Sequence, residues 1–302
     1  MMGLMTSGQQ QAMPQRYDQA AGIRKMKQIK PVRVIAVTSG KGGVGKTNLA
    51  VNLGVSLSAM GRRVALMDAD MGLANVDILL GINPEYNLSH VLAGEKSLAE
   101  IMVNGPFGMK VIPASSGIQQ MSALSDRQQA AIIHAFSEID ADLDVLIVDT
   151  AAGISPSVVN FARACQEIIV MICDEPTSLT DAYALIKLLN RDYSIYHFHI
   201  LTNMVQSTQQ GQSLFAKLTK VTDRYLDVAL QFAGSVPFDN KLRQSVRNQS
   251  AVVEAYADSQ ASLAIKNIAR KIDGWPIKSQ AGGYLEFFVE RMIQYSSQED
   301  VA

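Results

Sequence analysis

The sequence contains few cysteines and no long apolar run. Only Cys165 and Cys173 occur among its 302 residues, too few for a disulfide-stabilised scaffold or a four-ligand zinc site. Both lie in or beside a segment that we predict to be a buried strand, so we expect two small core side chains. No stretch approaches the roughly 18 apolar residues that a membrane span needs, and the first residues lack the apolar core of a secretory signal. We therefore expect a cytoplasmic protein.

A strong charge of either sign is also missing. Lys and Arg number 27 against 28 Asp and Glu, which gives a net charge of −1. A protein with this balance has no overall field that attracts nucleic acid or anionic lipid, so such binding would need a local patch. We expect no direct contact with nucleic acid. Hydrophobic residues make up 48% of the chain, which is enough for a sizeable core.

Six short apolar runs predict buried strands. They read VRVIAVT (32–38), RVALMD (63–68), DVLIVD (144–149), EIIVMIC (167–173), FHILTN (198–203) and LQFAGSVP (230–237). Helical periodicity lies between them, for example over residues 178–190. Continuous apolar strands that alternate with helices predict an α/β fold with a predominantly parallel, twisted sheet covered by helices on both faces. Ligands of such sheets bind at the carboxyl ends of the strands, where the motifs described below lie.

A glycine-rich loop follows the first predicted strand. Residues 39–48 read SGKGGVGKTN and contain the G-x-x-x-x-G-K-[ST] pattern of phosphate-binding loops, which predicts a P-loop NTPase. In such a loop, backbone N–H groups turn towards the phosphates and the following helix adds its positive dipole end. We expect Lys46 to reach the β- and γ-phosphates and Thr47 to ligate Mg²⁺. The predicted nucleotide-binding residues of the loop are Gly40, Lys41, Gly42, Gly43, Val44, Gly45, Lys46, Thr47 and Asn48.

Lys41 is a second lysine in a loop that needs only one. Because Lys46 serves the nucleotide of its own site, Lys41 can project outwards and reach the phosphates bound by a second subunit. A lysine donated in this way would stabilise transition-state charge as an arginine finger does, and only after two subunits have docked. A solvated surface lysine is the alternative interpretation.

The KGGVGKT segment of residues 41–47 resembles the deviant Walker A motif of the MinD/ParA ATPases. In that family this lysine crosses a face-to-face dimer that encloses two ATP molecules. The resemblance implies an ATPase that is a homodimer with ATP and a monomer with ADP or without nucleotide. It also implies ATP and Mg²⁺ as ligands, and catalytic roles for Lys41 and Lys46.

Two predicted strands end in acidic residues. In LMDADMGLANVD (66–77), the resemblance implies that Asp70 belongs to switch I and positions the attacking water, while Asp68 lies in the second coordination shell of Mg²⁺. In LIVDTAAG (146–153), Asp149 would hold Mg²⁺ through water, and Gly153 would free a switch II loop to sense the γ-phosphate. Phosphoryl transfer needs little from a protein beyond such positioning.

The predicted base-binding segment favours ATP over GTP. Guanine recognition normally shows N-K-x-D, whereas LTNM (201–204) contains Asn203 without the following Lys and Asp. The resemblance implies that adenine binds Asn203 and the VPFD segment (236–239), with Pro237 and Asp239 as contacts. A role in carrying iron–sulfur clusters, as in the nitrogenase iron protein or Mrp-type carriers, is disfavoured because switch II has no cysteine and the chain has no C-x-x-C.

The amino-terminal segment carries a second resemblance. Residues 1–30 are rich in Gln and Met and mildly basic, which predicts a flexible arm. Within them, YDQAAGIRKM (17–26) is similar to the D-Q-A-x-x-L-R segment of the flagellar-number regulators FlhG and FleN, with Ile23 in place of Leu. In that family the segment stimulates the GTPase FlhF, which implies partner-binding roles for Asp18, Gln19, Ala20 and Arg24. Segments 173–192, 214–232 and 285–292 also resemble this subgroup.

The last predicted helix has one apolar face, formed by Leu285, Phe288, Val289, Met292 and Ile293. We keep three positions open for it: docked on the ATPase domain of the monomer, on a membrane, or on a protein partner. Residues 281–302 contain one cation and four acidic residues, so anionic lipid would repel the helix. Phe287 and Phe288 are nevertheless large enough to insert into a membrane or bind a partner, and ATP-driven dimerisation could switch the helix between positions.

Three parts of the chain are therefore predicted: a flexible arm (1–30), a MinD-like ATPase domain (31–275), and an amphipathic helix with its tail (276–302). The resemblance implies a protein that limits flagellar number through FlhF and a flagellar master transcription activator of the FleQ/FlrA type, with delivery of flagellar C-ring proteins as a further role. A partitioning or division-site ATPase is one alternative, and a nucleotide-gated adaptor with vestigial hydrolysis is another. We expect it in the cytoplasm, with peripheral contact at the inner membrane or cell pole.

Overall fold

One eight-stranded sheet organises the protein. A computed structural model describes residues 31–70, 75–113, 126–140, 143–276 and 285–297. The strands are β1 (Arg33–Ser39), β2 (Val64–Ala69), β3 (Val103–Asn104), β4 (Lys110–Pro113), β5 (Val145–Ala152), β6 (Glu167–Cys173), β7 (His197–Val205) and β8 (Ala229–Pro237). Their order across the sheet is β3-β4-β2-β5-β1-β6-β7-β8. Every described pairing is parallel except that of β3 with β4.

Helices cover both faces of this sheet. They are α1 (Lys46–Ala59), α2 (Val76–Leu80), α3 (Leu88–Leu92), α4 (Leu98–Ile101), α5 (Asp126–Asp140), α6 (Pro156–Ala164), α7 (Pro176–Arg191), α8 (Thr208–Tyr225), α9 (Asn240–Arg247), α10 (Val252–Ala255), α11 (Gln260–Asp273) and α12 (Leu285–Ser297). Alternate residues of β1 enter different cores: Ile35 packs with α1 and α11, and Ala36 packs with α5, α6 and α12. A third core joins α6, α7 and α8 to β6 and β7. The predicted α/β fold is confirmed.

All six predicted strands are present. The largest difference is at β5, which was predicted to end at Asp149 and continues to Ala152. Strands β3 and β4 were not predicted, because two and four residues are too few to show a period of two. They extend the sheet beside β2 and leave the central strands β1, β2 and β5 fully flanked.

The carboxyl-terminal helix α12 is docked on the body of the protein. Phe288 is 2% exposed and Val289 0%, and both lie in the core that contains Phe136 of α5 and Phe161 of α6. Of the three positions left open for this helix, the structure shows the first, in which the helix is docked on the ATPase domain. A partner or membrane contact through Phe288 is therefore not available in this conformation, because its side chain is already buried. The side chain of Phe287 lies outside the described residues.

An arginine between two tyrosine rings also links α12 to α6. The guanidinium carbon of Arg163, on α6, lies 3.7 Å from the ring centre of Tyr295 on α12 and 3.9 Å from that of Tyr193, which follows α7. Cation–π contacts of this kind each contribute about 0.5–1 kcal/mol at exposed sites and more when water is excluded. They add a directional contact to the apolar packing of the helix. No helix among the described residues has the length and hydropathy of a membrane span.

Phe288→Ala should detach α12 while leaving the sheet folded. Removing a buried phenylalanine ring costs about 3–5 kcal/mol, and here only a terminal helix depends on it. We expect trypsin to cleave after Arg291 much faster in the variant, as measured by intact mass against time. Leu263→Ala, at a leucine that is 49% exposed on α11, is the matched control. Equal cleavage rates in the two variants would contradict this role of Phe288.

Candidate nucleotide-binding site

The phosphate loop joins β1 to α1 and depends on its glycines. Gly43 and Gly45 have φ of 79° and 91°, a left-handed conformation that other residues adopt only with strain. Gly40 has a different reason, because a Cβ there would overlap the backbone of Asp181 in α7. The loop therefore needs glycine for two reasons: a left-handed backbone at two positions and close packing against a neighbouring helix at a third.

Lys46 lies in the wall of a cleft of about 470 Å³ with only 8% of its surface exposed. Burial lowers the pKa of Lys46, while Asp149 and Asp70 raise it again. The cleft is lined by residues of the loop, of the segment after β2 and of the end of β5, among them Gly42, Gly43, Thr47, Asn48, Asp70, Asn75 and Ala152. It brings together most of the residues that were predicted to bind the phosphates.

Asp149 is a buried carboxylate without a hydrogen bond. It is 0% exposed, and neither oxygen has a hydrogen-bond partner. Burial raises the pKa of Asp149 to about 7, although the nearby Thr47 hydroxyl acts in the opposite direction without satisfying either oxygen. Buried acceptors that lack partners are costly. A magnesium ion fits this arrangement, because a hard cation takes oxygen ligands such as the Thr47 hydroxyl and water held by a carboxylate.

Asp68, the neighbour of Asp149 on β2, has a structural task in addition to its predicted one. Its oxygens accept hydrogen bonds from the backbone N–H groups of Asp70, Asn75 and Val76 at 3.2, 3.1 and 3.2 Å. Burial raises the pKa of Asp68 to about 6, and these three donors lower it. A place in the second shell of Mg²⁺ stays a prediction for this residue. In the structure, its three hydrogen bonds hold the start of α2.

Lys41 does not project away from its own chain as predicted. Its ammonium pairs with the Glu175 carboxylate and donates to Thr177 Oγ1 at 3.0 Å. Both partners lie at the start of α7, and the Glu175 carboxylate raises the pKa of Lys41. The reason for the difference is that an exposed acid stands 134 residues later in the chain but next to the loop in space. The lysine is still 36% exposed in its side chain, so it is accessible from outside.

A second cleft of about 480 Å³ adjoins the first and shares four lining residues with it: Gly45, Asn48, Met204 and Val246. It is also lined by all three predicted base-binding residues, Asn203, Pro237 and Asp239. Two of them already have internal partners. Asn203 Nδ2 donates to the carbonyl of Val44 at 2.8 Å and so steadies the phosphate loop.

Asp239 is similarly engaged at the start of two helices. Its oxygens accept from the N–H groups of Lys241 at 2.8 Å and Ala261 at 3.0 Å. Reasoning from the sequence missed Met204 and Phe238, which are 41% and 43% exposed beside this cleft, and Arg243 and Arg247 on α9. Phe238 and Met204 had a signal, since they lie inside the VPFD and LTNM segments. Apolar and cationic walls of this kind suit stacking on a base.

Raising the pH from about 5 to 8 should destabilise the protein without nucleotide through Asp149. Its pKa in the folded chain, about 7, exceeds the ordinary 3.8, so its stabilising effect is complete below about pH 4 and is lost as the pH rises through about 7. We expect the urea midpoint to fall over this range, and Asp149→Asn should reduce the fall to the part below about pH 6 that Asp68 contributes. Mg·ADP should restore more stability at pH 8, because the ion needs the ionised carboxylate. An unchanged pH dependence in the variant would contradict this assignment.

Comparisons with known proteins agree with this site. The ParA family model, described as NUBPL iron-transfer P-loop NTPase, matches residues 30–273. Antiactivator FleN of Pseudomonas aeruginosa is 56% identical over 90% of this chain and 98% of its own. Flagellum site-determining protein YlxH of Helicobacter pylori is 30% identical over 87% and 90%. Cysteines suited to iron transfer are not evident, since both cysteines are unpaired and buried.

Solved structures give the same fold. MinD of Aquifex aeolicus in its complex with MinC is 26% identical, covers 82% of this chain and 98% of its own, and superposes with a TM-score of 0.65. MinD of Pyrococcus horikoshii complexed with Mg-ADP, at 22% identity and a TM-score of 0.63, shares the fold.

The arm residues Asp18, Gln19, Ala20 and Arg24 lie outside the described residues. The chain belongs to the MinD/ParA family of P-loop ATPases, in the FlhG/FleN group of flagellar regulators.

Proposed function

We propose that this protein is a dimerising ATPase that limits flagellar number, and that it hydrolyses ATP to ADP and phosphate. The observation that carries the proposal is the 56% identity to FleN over 98% of that protein. The phosphate cleft supports it, since Lys46, Thr47, Asp70 and Asp149 are assembled around one loop. ATP is the proposed substrate because no N-K-x-D guanine motif follows Asn203.

The chemistry follows from the placement of these side chains. Lys46 would bind the β- and γ-phosphate oxygens, and the Thr47 hydroxyl and Asp149 would hold Mg²⁺, with Asp68 behind them. The ion, when bound, supplies positive charge between the phosphates. Asp70 would orient the water whose oxygen attacks the γ-phosphorus while the bond to the β-phosphate oxygen breaks. Charge stabilisation in the transition state is left to the two lysines of the loop.

Dimerisation would complete the site through Lys41. In the single chain its ammonium is held by Glu175 and Thr177, both at the surface. We propose that ATP binding by two chains offers this ammonium a more highly charged partner, the phosphates of the opposite subunit. Because water screens an exposed ion pair and leaves it little net stabilisation, the exchange costs little. It would give Lys41 the role that the deviant Walker A resemblance of residues 41–47 implies.

The docked helix α12 would respond to the same event. Switch II runs from Asp149 through Gly153, whose φ is 100°, and leads directly into α6, the helix that carries Arg163. A change in switch II on ATP binding would shift α6 and weaken its contact with α12. The helix would then be available to the membrane or to a partner. The proposed partners are the FlhF GTPase, through the arm, a FleQ/FlrA-type transcription activator, and C-ring proteins.

One observation favours a second function, the partitioning type. Helix α9 contains Lys241, Arg243 and Arg247 and no acidic residue, and all three cations are exposed. This is a local basic patch of the kind that DNA binding would need in a chain of net charge −1. Both arginines of this patch line the base cleft, however. In the first proposal they would therefore contact the nucleotide base.

Asp70→Ala should trap an ATP-bound dimer, and Lys41→Ala should dissolve it. The first change removes the group that orients water, so ATP persists. The second removes the cation that crosses to the other subunit. Size-exclusion chromatography with light scattering in Mg·ATP measures both, with Lys217→Ala on α8 as the matched lysine control. A double variant that stays dimeric would show that Lys41 does not act across the interface.

The trapped protein is also the bait that tests the flagellar role. We expect Asp70→Ala with Mg·ATP to retain FlhF, the transcription activator or C-ring proteins from the lysate of a flagellated host, each identified by mass spectrometry. Lys46→Ala, which cannot hold the phosphates, is the control. Retention of chromosomal DNA instead, abolished by Lys241→Glu and by about 200 mM salt, would favour the partitioning function.

A further inference from the structure

The segment that carries Asp70 is pinned at both ends by one buried carboxylate. Asp68, which is 3% exposed, accepts from the N–H of Asp70 at its near end and from the N–H groups of Asn75 and Val76 at its far end. Hydrogen bonds to a charged, buried acceptor contribute more than ordinary ones. The backbones of Asp70 and Asn75 are therefore held at fixed positions beside the phosphate cleft.

The Asn75 side chain does not perform its usual task. Asn75 is the N-cap residue of α2, and an asparagine there normally accepts the backbone N–H of the second or third helical residue through its side chain. Here the Asn75 side chain makes no capping bond, and the N–H of Ile78, the third helical residue, is taken by Asp77 Oδ1 at 2.7 Å. The Asn75 amide donates instead to Asp70 Oδ2 at 3.4 Å. Both side chains line the phosphate cleft.

We infer that Asn75 is a positioning residue for Asp70. By holding Oδ2, the amide sets the rotation of the carboxylate about its Cβ–Cγ bond, and with it the direction from which the carboxylate meets the attacking water. The inference rests on the proposed ATPase function. At 3.4 Å the bond is long, as catalytic hydrogen bonds often are before substrate binds, and such bonds tighten in the substrate complex.

The residue type fits this task. An aspartate at position 75 would have nearly the same shape but no donor, and its charge would repel Asp70. An alanine would remove the hydrogen bond that the amide donates to Asp70 Oδ2. The Asn75 side chain is short, and Asp68 holds the backbone that carries it. Its neutral amide restrains the carboxylate without neutralising it. Asn75 is thus matched to Asp70 in charge as well as in reach.

Asn75→Ala tests the inference through the split between kcat and KM. We expect kcat for ATP hydrolysis to fall about 10- to 100-fold, the cost of a misplaced catalytic group, while KM for ATP stays unchanged and the dimer in Mg·ATP persists at least as long as in the unaltered protein. Asn75→Asp should lower kcat at least as far. The matched control is Asn87→Ala, because Asn87 caps α3 with its side chain. That variant should lose about 1 kcal/mol of stability and keep its kcat.

A double-variant cycle shows whether Asn75 acts through Asp70. In the Asp70→Ala background, Asn75→Ala should slow the residual turnover no further. The same loss in both backgrounds, an unchanged kcat, or a raised KM with kcat intact would each overturn the inference. Failure of the proposed function has a different signature, since the unaltered protein would then not hydrolyse Mg·ATP, and the inference would fall with it.

Discussion

The burial of two carboxylates side by side is the constraint around which the site is built. Asp68 and Asp149 are register partners on β2 and β5, and each is nearly inaccessible to water. The negative charge of Asp68 raises the pKa of Asp149 further. Lys46 offsets part of this charge, and backbone N–H groups satisfy Asp68 alone. The protein without nucleotide therefore holds unfavourable electrostatic energy that a magnesium nucleotide would relieve.

The sheet connects this constraint to distant parts of the molecule. Strand β5 carries Asp149 and runs into α6, and α6 supports α12 through Phe161 and Arg163. Strand β2 carries Asp68 and runs into the segment of Asp70 and α2. Both paths begin at one pair of acids. A change in the charge balance at the phosphate cleft can thus reach the segment of Asp70 and the terminal helix at the same time.

The sequence was a good guide wherever a pattern was local. Continuous apolar runs located β1, β2 and β5 to β8, and the spacing of Gly40, Lys46 and Thr47 located the phosphate cleft. Both depend on neighbours in the chain, as do the strand-end acids. Features that depend on distant partners escaped prediction. Asn203 and Asp239 line the predicted base cleft, and their contact with a base stays a prediction. Their hydrogen bonds to Val44 and Ala261, which are distant in sequence, were not foreseen.

The position of α12 and the pairing of Lys41 belong to the same class. The apolar face of α12 was evident in the sequence, but the sequence did not show that this face packs against α5 and α6. Glu175 had no signal in sequence, because an exposed acid at a helix start is common. The role of Asn75 was hidden for a further reason, since an asparagine before a helix normally caps it, and only the structure shows that this side chain makes no capping bond and donates to Asp70 instead.

The close approach of Gly40 to Asp181 has a kinetic consequence. Because the phosphate loop touches the backbone of α7 there, the loop and the start of α7 can move only together. Glu175 and Thr177, the two partners of Lys41, belong to that same unit. Lys41 can therefore leave them by turning its own side chain, an event of picoseconds to nanoseconds, with no backbone rearrangement to wait for. In the proposed dimer, the rate of association would then be set by the diffusional encounter of the two chains.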